Sequence, residues 1–172
     1  MHQQTGASSM THDHLVTRAE RFLKNMGCGV VFSDRFKAAT HNGEQPDAIG
    51  WRDSVSLLIE CKASRADFLA DKKKRFRIDA EKGMGEWRFY MCPPGLIKPE
   101  ELPFGWGLLY CHPKKVERVH GIPTNTQIWS GRPFEVANKR CELQLMYSAL
   151  RRMEIRGHLK EIYDGIPVKE SA

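Results

Sequence analysis

The sequence predicts an α/β domain with a mixed central sheet, because helical and strand-like segments follow one another in a definite order. Residues 54–63 form an apolar run that is typical of a buried central strand, and two aromatic strands follow later in the chain. Amphipathic helices are predicted before, between and after these strands. The predicted order is helix, three strands, helix, two or three strands and a last helix.

A length of 172 residues is usual for one domain. Residues 1–11 are polar and have no periodicity, so we expect a flexible leader followed by a single domain over residues 12–172. The chain has no run of about 18 apolar residues and no signal-peptide pattern. We therefore expect a cytoplasmic protein without a membrane span.

The first elements are a helix and a strand. Apolar residues at helical spacing predict a helix over residues 13–26, with Asp13 as its N-cap and Gly27 as its end. The β-branched segment at residues 28–35 predicts a strand, and residues 36–45 have the composition of a loop.

A hairpin and a second helix come next. The runs at residues 46–51 and 54–63 predict an antiparallel hairpin, with Arg52 and Asp53 as its two-residue loop. The helix predicted over residues 64–82 begins with a capping-box spacing.

The second half of the chain predicts three strands and a long helix. The strands cover residues 87–92, 106–111 and 116–120, and the helix covers residues 134–156. The inward face of this helix is predicted from its apolar residues at steps of three and four, which are Val136, Leu143, Met146, Leu150 and Met153.

Charge and cysteine content narrow the classes of function. The 27 basic and 21 acidic residues give a net charge of +6, which favours anionic partners and nucleic acid before a membrane surface. The five cysteines are widely spaced and form no C-x-x-C pair, which argues against a disulfide framework and a zinc ribbon.

Two charged residues lie in the strand that is predicted to be buried. Glu60 and Lys62 need a partner or a metal there, because desolvation of an unpaired charge is costly. The alternative is that the strand end emerges into solvent, where the two residues form an ordinary ion pair.

Asp47 favours a functional interpretation of this strand. With a loop at Arg52 and Asp53, Asp47 pairs with Leu58 and shares a face with Glu60 and Lys62, and any even loop length preserves this parity. Cross-strand Cβ atoms are roughly 5 to 8 Å apart, so the carboxylates of Asp47 and Glu60 can converge on one cation. Oxygen ligands of this kind suit Mg²⁺, and Mn²⁺ accepts them too.

The segment Pro46-Asp47, followed after twelve residues by Glu60-Cys61-Lys62, is similar to the signature of the PD-(D/E)XK nuclease superfamily. The predicted element order resembles the restriction-endonuclease-like αβββαβ core of that superfamily, with an added C-terminal helix. Two segments resemble small single-domain bacterial and phage members of this superfamily: ECKASRADFLADKKKRFR and ELPFGWGLL. They resemble the MmcB-type DNA repair proteins more distantly.

The resemblance implies specific roles for residues of the hairpin. Asp47, Glu60 and the main-chain carbonyl of Cys61 would bind Mg²⁺ or Mn²⁺. Lys62 would position or deprotonate the attacking water and offset charge on the phosphate. Several branches add a glutamate from the first helix, which corresponds here to Glu20.

Basic residues near the motif are candidates for phosphate contacts, although such runs are more often solvated surfaces. The candidates lie in the loop before Asp47, in the second helix and in the strand after it. They are Lys37, His41, Lys72, Lys73, Arg75, Arg77 and Arg88.

The function expected from these observations is metal-dependent hydrolysis of DNA by an endonuclease, in DNA repair or in the processing of phage or mobile-element DNA. Two alternatives remain open at this point. One is a DNA-binding repair or recombination accessory without catalysis, and the other is a phage protein that uses the fold to bind a host defence complex. DNA is the expected partner, and a homodimer or a host or phage protein partner is compatible with the sequence.

Overall fold

The computed structural model of the protein describes residues 10–166, so residues 1–9 of the expected leader lie outside the described residues. Within this range, six strands form one mixed sheet, as the sequence predicts, and four α-helices accompany it. The helices are α1 (His12–Asn25), α2 (Arg65–Asp71), α3 (Arg75–Ile78) and α4 (Lys139–Ile155). The strands are β1 (Val30–Ser33), β2 (Ala48–Arg52), β3 (Val55–Cys61), β4 (Trp87–Cys92), β5 (Trp106–Cys111) and β6 (Val116–His120).

The strands lie in the sheet in the order in which they occur in the chain. β1, β2 and β3 form an antiparallel meander, β3, β4 and β5 are parallel, and β6 is antiparallel to β5. Every residue of β3 is buried, which confirms the prediction of a central strand. Charged residues at the carboxyl end of this strand are therefore held inside the protein.

Each face of the sheet has its own hydrophobic core. On one face, α1 packs Leu15, Ala19 and Leu23 against Leu57 and Ile59 of β3. On the other face, Phe68 of α2 and residues of α4 pack against the opposite side chains of the sheet. The alternation of side chains along β3 thus divides the strand between two cores, and Glu60 belongs to the second face.

Helix α1 begins one residue earlier than predicted. Thr11 caps it, because its hydroxyl accepts a hydrogen bond from the backbone N–H of His14 at 3.3 Å, whereas Asp13 lies within the first turn. Met10 packs against the core under α1, so the end of the expected leader is part of the domain. Gly27 follows the helix with a φ of 89°, which glycine adopts without strain.

The predicted second helix is broken into shorter pieces. Ser64 caps α2 as expected, since its hydroxyl accepts a hydrogen bond from the N–H of Asp67 at 3.2 Å. The chain leaves the helical path after Asp71 and resumes it at Arg75, and a 3₁₀ turn follows. Asp71 and Arg77 are both buried and joined by an ion pair, so satisfying their charges competes with a continuous helix.

Helix α4 presents a different face to the core from the one predicted. Of the residues predicted to face inward, Met146 packs against the core, whereas Leu143 and Leu150 are 68% and 51% exposed. The buried residues of the helix are Cys141, Glu142 and Leu145. The Glu142 carboxylate accepts hydrogen bonds from the Ser56 hydroxyl at 2.8 Å and the Trp51 indole at 3.2 Å. It also accepts one from the N–H of Gly85 at 2.9 Å. A polar anchor therefore fixes the rotation of this helix, which the apolar spacing could not indicate.

All five cysteines are buried and none of them forms a disulfide. Between residues 10 and 166, each helix is too short or too polar to cross a bilayer.

Candidate active site at the end of the β2–β3 hairpin

The turn of the hairpin determines which residues face one another. Asp53 and Ser54 form the two-residue loop, because Arg52 pairs with Val55. The prediction placed the loop one residue earlier, so each predicted pair is shifted by two positions. The face of each side chain is unchanged, and extension of the observed register places Asp47 opposite Glu60 rather than Leu58.

Asp47 is fixed by its neighbours at the entrance to β2. Its carboxylate accepts a hydrogen bond from the backbone N–H of Cys61 at 2.7 Å, and its carbonyl accepts one from the N–H of Asp34 at 2.9 Å. Cys61 is the last residue of β3, so this contact ties the two ends of the hairpin together. The motif residues before β2 and at the end of β3 are thus brought together.

Glu60 and Lys62 form a buried ion pair on the face of the sheet that α2 covers. Lys62 Nζ lies 3.1 Å from Glu60 Oε2, and the side chains are only 7% and 3% exposed. Arg77 Nη2 lies 2.9 Å from the other oxygen of Glu60. The strand end therefore does not emerge into solvent, and the alternative of an ordinary surface pair does not apply.

Asp71 is a member of this cluster that the sequence did not single out. Its carboxylate lies 3.3 Å from Lys62 Nζ and 3.0 Å from Arg77 Nε, and it accepts a hydrogen bond from the Tyr90 hydroxyl at 2.8 Å. Burial favours a higher pKa for Asp71, but Arg77, Lys62 and the partly exposed Lys74 hold this pKa below its ordinary value. The aspartate is therefore ionised at neutral pH.

Glu44 completes the cluster from the loop before β2. It is fully buried, pairs with Arg77 and accepts a hydrogen bond from the N–H of Met84 at 2.7 Å. Burial raises the pKa of Glu44, against the effect of Arg77. Arg77 consequently links three carboxylates, those of Glu44, Glu60 and Asp71.

Lys62 remains protonated in this environment. Burial alone would lower its pKa, but the charges of Glu60, Asp71 and Asp47 together raise this pKa above the ordinary value. A lysine in this state supplies positive charge and hydrogen-bond donors. It is poorly suited to remove a proton from water.

A second acidic group lies beside the first, at the start of α1. His12 Nε2 is 3.4 Å from an oxygen of Asp47 and 3.4 Å from an oxygen of Asp34. In residues 10–166, these three are the only set of His, Cys, Asp or Glu side chains whose ligand atoms all lie within 4.8 Å of one another. Asp34 follows β1 directly and His12 opens α1, so only the fold brings them to Asp47.

Burial and a neighbouring carboxylate both act on the pKa of Asp47. Burial and the nearby charge of Glu60 raise it to about 6, although the Cys61 N–H, Lys62 and His12 act in the opposite direction. A divalent cation near Asp47 would reverse this shift by stabilising the ionised carboxylate.

The residues present fit a hard cation in part. The carboxylates of Asp47 and Asp34 offer the oxygens that Mg²⁺ prefers, and His12 adds a nitrogen that suits Mn²⁺ better. Glu60 Oε1 is buried and has no hydrogen bond of good geometry, although Arg77 is near it. It can serve a cation only by sharing or replacing the contact with Arg77.

Glu20 lies outside these clusters. Both of its carboxylate oxygens are 2.7 Å from Arg35 Nη2, in an ion pair near the surface. Its role as a further catalytic carboxylate therefore stays a prediction from the resemblance, and the structure gives it a different partner.

The basic residues expected to contact DNA divide into two groups. Five of them are exposed, which leaves them accessible to phosphate: Lys37, His41, Lys72, Lys73 and Arg75.

Arg77 and Arg88 differ from the expectation of DNA contact, because both side chains are buried. Arg77 is held within the acidic cluster. Arg88 is 1% exposed and its guanidinium donates to the carbonyls of Ala80, Gly83 and Gly85 at 2.7 to 2.9 Å. Burial lowers the pKa of Arg88 to about 10. Neither side chain can reach a nucleic acid at the surface.

Comparison of the chain with protein-family models, curated proteins and solved structures gave no match. The interpretation of the site consequently depends on its own geometry and on the motif.

Proposed function

We propose that the protein is a metal-dependent DNA endonuclease with the PD-(D/E)XK arrangement at the end of the β2–β3 hairpin. One observation carries this proposal: the fold gathers Asp47, Glu60 and Lys62 at one end of the hairpin. Extension of the β2–β3 register beyond Ala48 and Ile59 brings Asp47 opposite Glu60, and Lys62 Nζ lies 3.1 Å from Glu60. The proposal is compatible with the pKa of Asp47, which burial and the charge of Glu60 raise to about 6 and which a nearby cation would lower again.

In the proposed site, Asp47 and Glu60 hold Mg²⁺ or Mn²⁺ together with the carbonyl of Cys61, and Asp34 is an additional oxygen donor. The bound ion would supply Lewis acidity toward the phosphate and a lower pKa for a coordinated water. Lys62 faces the same end of the hairpin as a protonated side chain. It offsets the negative charge that develops on the phosphate.

A second function is favoured by the contacts of Arg77. Lys62 and Arg77 already neutralise most of the charge on Glu60 and Asp71, so the cluster is stable without a metal. A protein with such a cluster could bind DNA without cutting it, as a repair or recombination accessory. The third alternative, a phage protein that binds a host defence complex, would need neither DNA binding nor cleavage.

The test is a cleavage assay on labelled duplex, single-stranded, flapped and branched DNA, with Mg²⁺, Mn²⁺ or EDTA. The proposal expects cleavage with a divalent ion and none with EDTA. Asp47→Asn and Glu60→Gln should both abolish it. Asp53→Asn is the matched control, since this aspartate lies exposed in the turn at the opposite end of the same hairpin.

The outcomes separate the three functions. Cleavage that survives in Asp47→Asn would refute the proposed active site. DNA binding without cleavage under any condition would establish the accessory function instead. Absence of both DNA binding and cleavage would favour the phage protein that binds a host defence complex.

A further inference from the structure

A basic groove lies between α1 and the turn that joins β5 to β6, apart from the proposed active site. Its volume is about 420 Å³. Five cations line it: Arg18 and Arg21 from α1, Lys114 and Lys115 from the turn, and Arg118 from β6. No acidic side chain of the described part of the chain belongs to the lining.

Between residues 10 and 166, no acidic side chain pairs with the charges of this groove. None of the five cations has an acidic partner within 4.0 Å among the residues that the structure describes. The neighbouring acid on β6, Glu117, pairs with His112 at 2.7 Å instead. Five like charges in one groove repel one another, so an anion bound there would be stabilised by all of them.

Two contacts give the groove a defined shape. Arg18 Nη1 donates a hydrogen bond to the carbonyl of Pro113 at 2.9 Å, which joins the helix to the turn. The guanidinium of Arg118 lies 5.5 Å from the centre of the Phe22 ring and 3.2 Å from the sulfur of Met26. Arg21, Lys114 and Lys115 remain exposed along the walls.

The dimensions of the groove suit a chain of phosphates. The lining of α1 extends from Arg18 to Asn25, which is about 10 Å along a helix at 1.5 Å per residue. A strand of B-form DNA carries one phosphate per roughly 3.4 Å of helix axis, so a groove of this length can contact consecutive phosphates. Arginine also matches phosphate geometry through paired N–H donors.

We propose that this groove binds the phosphodiester backbone of a nucleic-acid strand. The choice of ligand class rests on the proposed function, whereas binding in the groove does not require hydrolysis. A concave lining fits a strand better than the plane of a lipid bilayer, and the apolar floor is recessed, since Phe22 is only 8% exposed.

The topology connects the groove with the hairpin. Because β3, β4 and β5 are parallel, their carboxyl ends lie at the same edge of the sheet. The turn with Lys114 and Lys115 follows β5 at this edge, and Glu60 and Cys61 lie near the end of β3 there. A strand in the groove would therefore extend toward the edge that holds the proposed active site.

The experiment compares two triple variants that carry the same reduction in charge. The groove variant carries Arg21→Gln, Lys114→Gln and Lys115→Gln. These side chains are exposed and make no hydrogen bond or ion pair with another described residue, so the fold should be unaffected. The control variant carries Lys98→Gln, Arg156→Gln and Lys160→Gln, at exposed positions outside the groove.

Binding is measured by fluorescence anisotropy with a labelled 20-nucleotide single strand and its duplex, in EDTA, over a series of salt concentrations. The groove variant should bind at least about tenfold more weakly. Its slope of log affinity against log salt should fall by about 2, because each phosphate of a single strand that a cation neutralises contributes roughly 0.7 to this slope. The control variant should stay within about twofold of the wild type.

Equal weakening in both variants would overturn the proposal, because net charge alone would then explain it. Unchanged binding by the groove variant, or no binding by the wild type, would overturn it too. The proposal would also be overturned if the groove variant kept its DNA binding but lost binding to phosphatidylserine vesicles or to polyglutamate. If the groove variant loses DNA binding while the wild type cuts no DNA, the groove stands and only the hydrolytic proposal fails.

Discussion

Arg77 Nη2 lies 2.9 Å from Oε1 of Glu60, so a guanidinium contacts the carboxylate that the motif assigns to a metal. The same arginine pairs with Glu44 and Asp71, and its side chain is only 1% exposed. Arg77 therefore stabilises the acidic cluster from within. Its removal is the most direct way to examine how the buried negative charges are compensated.

Arg77→Met should lower the free energy of unfolding by about 3 to 5 kcal/mol, because it leaves buried carboxylates without their partner. Arg75→Met is the control, since Arg75 is exposed two residues earlier and should change stability by no more than about 0.5 kcal/mol. Urea unfolding at pH 7.5 measures both. Equal stability of the two variants would show that the buried network contributes little.

Divalent ions should stabilise the Arg77→Met variant more than the wild type, because a cation can take over the charge compensation at Glu60. The measurement is the shift of the melting temperature on addition of Mn²⁺ or Mg²⁺, with Ca²⁺ and EDTA for comparison. A larger shift in the wild type would contradict this account of the site.

The pKa of Asp47 predicts a pH-dependent effect of Asp47→Asn. The folded-state pKa of about 6 is above the ordinary value of 3.8, so folding favours the protonated form. This contribution to stability is complete below about pH 4 and is lost as the pH rises through 6. At pH 7.5, the free energy of unfolding of Asp47→Asn should therefore exceed that of the wild type by on the order of 2 kcal/mol, because asparagine is neutral.

The difference between Asp47→Asn and the wild type should be small at pH 4, where Asp47 is protonated in the folded state. The difference in the free energy of unfolding is measured by urea unfolding at pH 4, 5, 6 and 7.5 in metal-free buffer. A difference that is independent of pH would mean that the effect comes from hydrogen bonding and not from charge.

Lys62→Met should be inactive in the cleavage assay and should also be destabilised, because Glu60 and Asp71 then lack their shared ammonium. Lys160→Met, at an exposed position that is assigned no role in binding, should leave both properties nearly unchanged. Calorimetric titration with Mn²⁺ provides the third readout. Loss of metal binding in Lys62→Met would assign the lysine an indirect role in holding the ion.

The exposed face of α4 gives a prediction on stability alone. Leu143→Ala should cost less than about 1 kcal/mol, because Leu143 is 68% exposed. Leu145→Ala should cost about 2 to 5 kcal/mol, since Leu145 is 2% exposed and packs in the core. Thermal and urea unfolding of the two variants distinguish the observed rotation of α4 from the one that the apolar spacing predicts.

The sequence determined the elements whose signals are local. The burial of β3 follows from the apolar residues on both of its faces, and the cap of α2 follows from Ser64. Strand parity placed Asp47 on the face of Glu60 and Lys62 even though the loop was assigned one residue early. A side-chain alternation of period two makes that inference insensitive to an even shift.

Only the tertiary structure decided how charge is distributed around the site. His12, Asp34 and Asp71 join the motif from three separate elements, and no spacing along the chain indicates this. Arg77 belongs to a basic run that is typical of an exposed surface, yet carboxylates buried elsewhere in the chain draw it inside. Desolvated charges require partners at short range in space, and that requirement operates between residues that the chain keeps far apart.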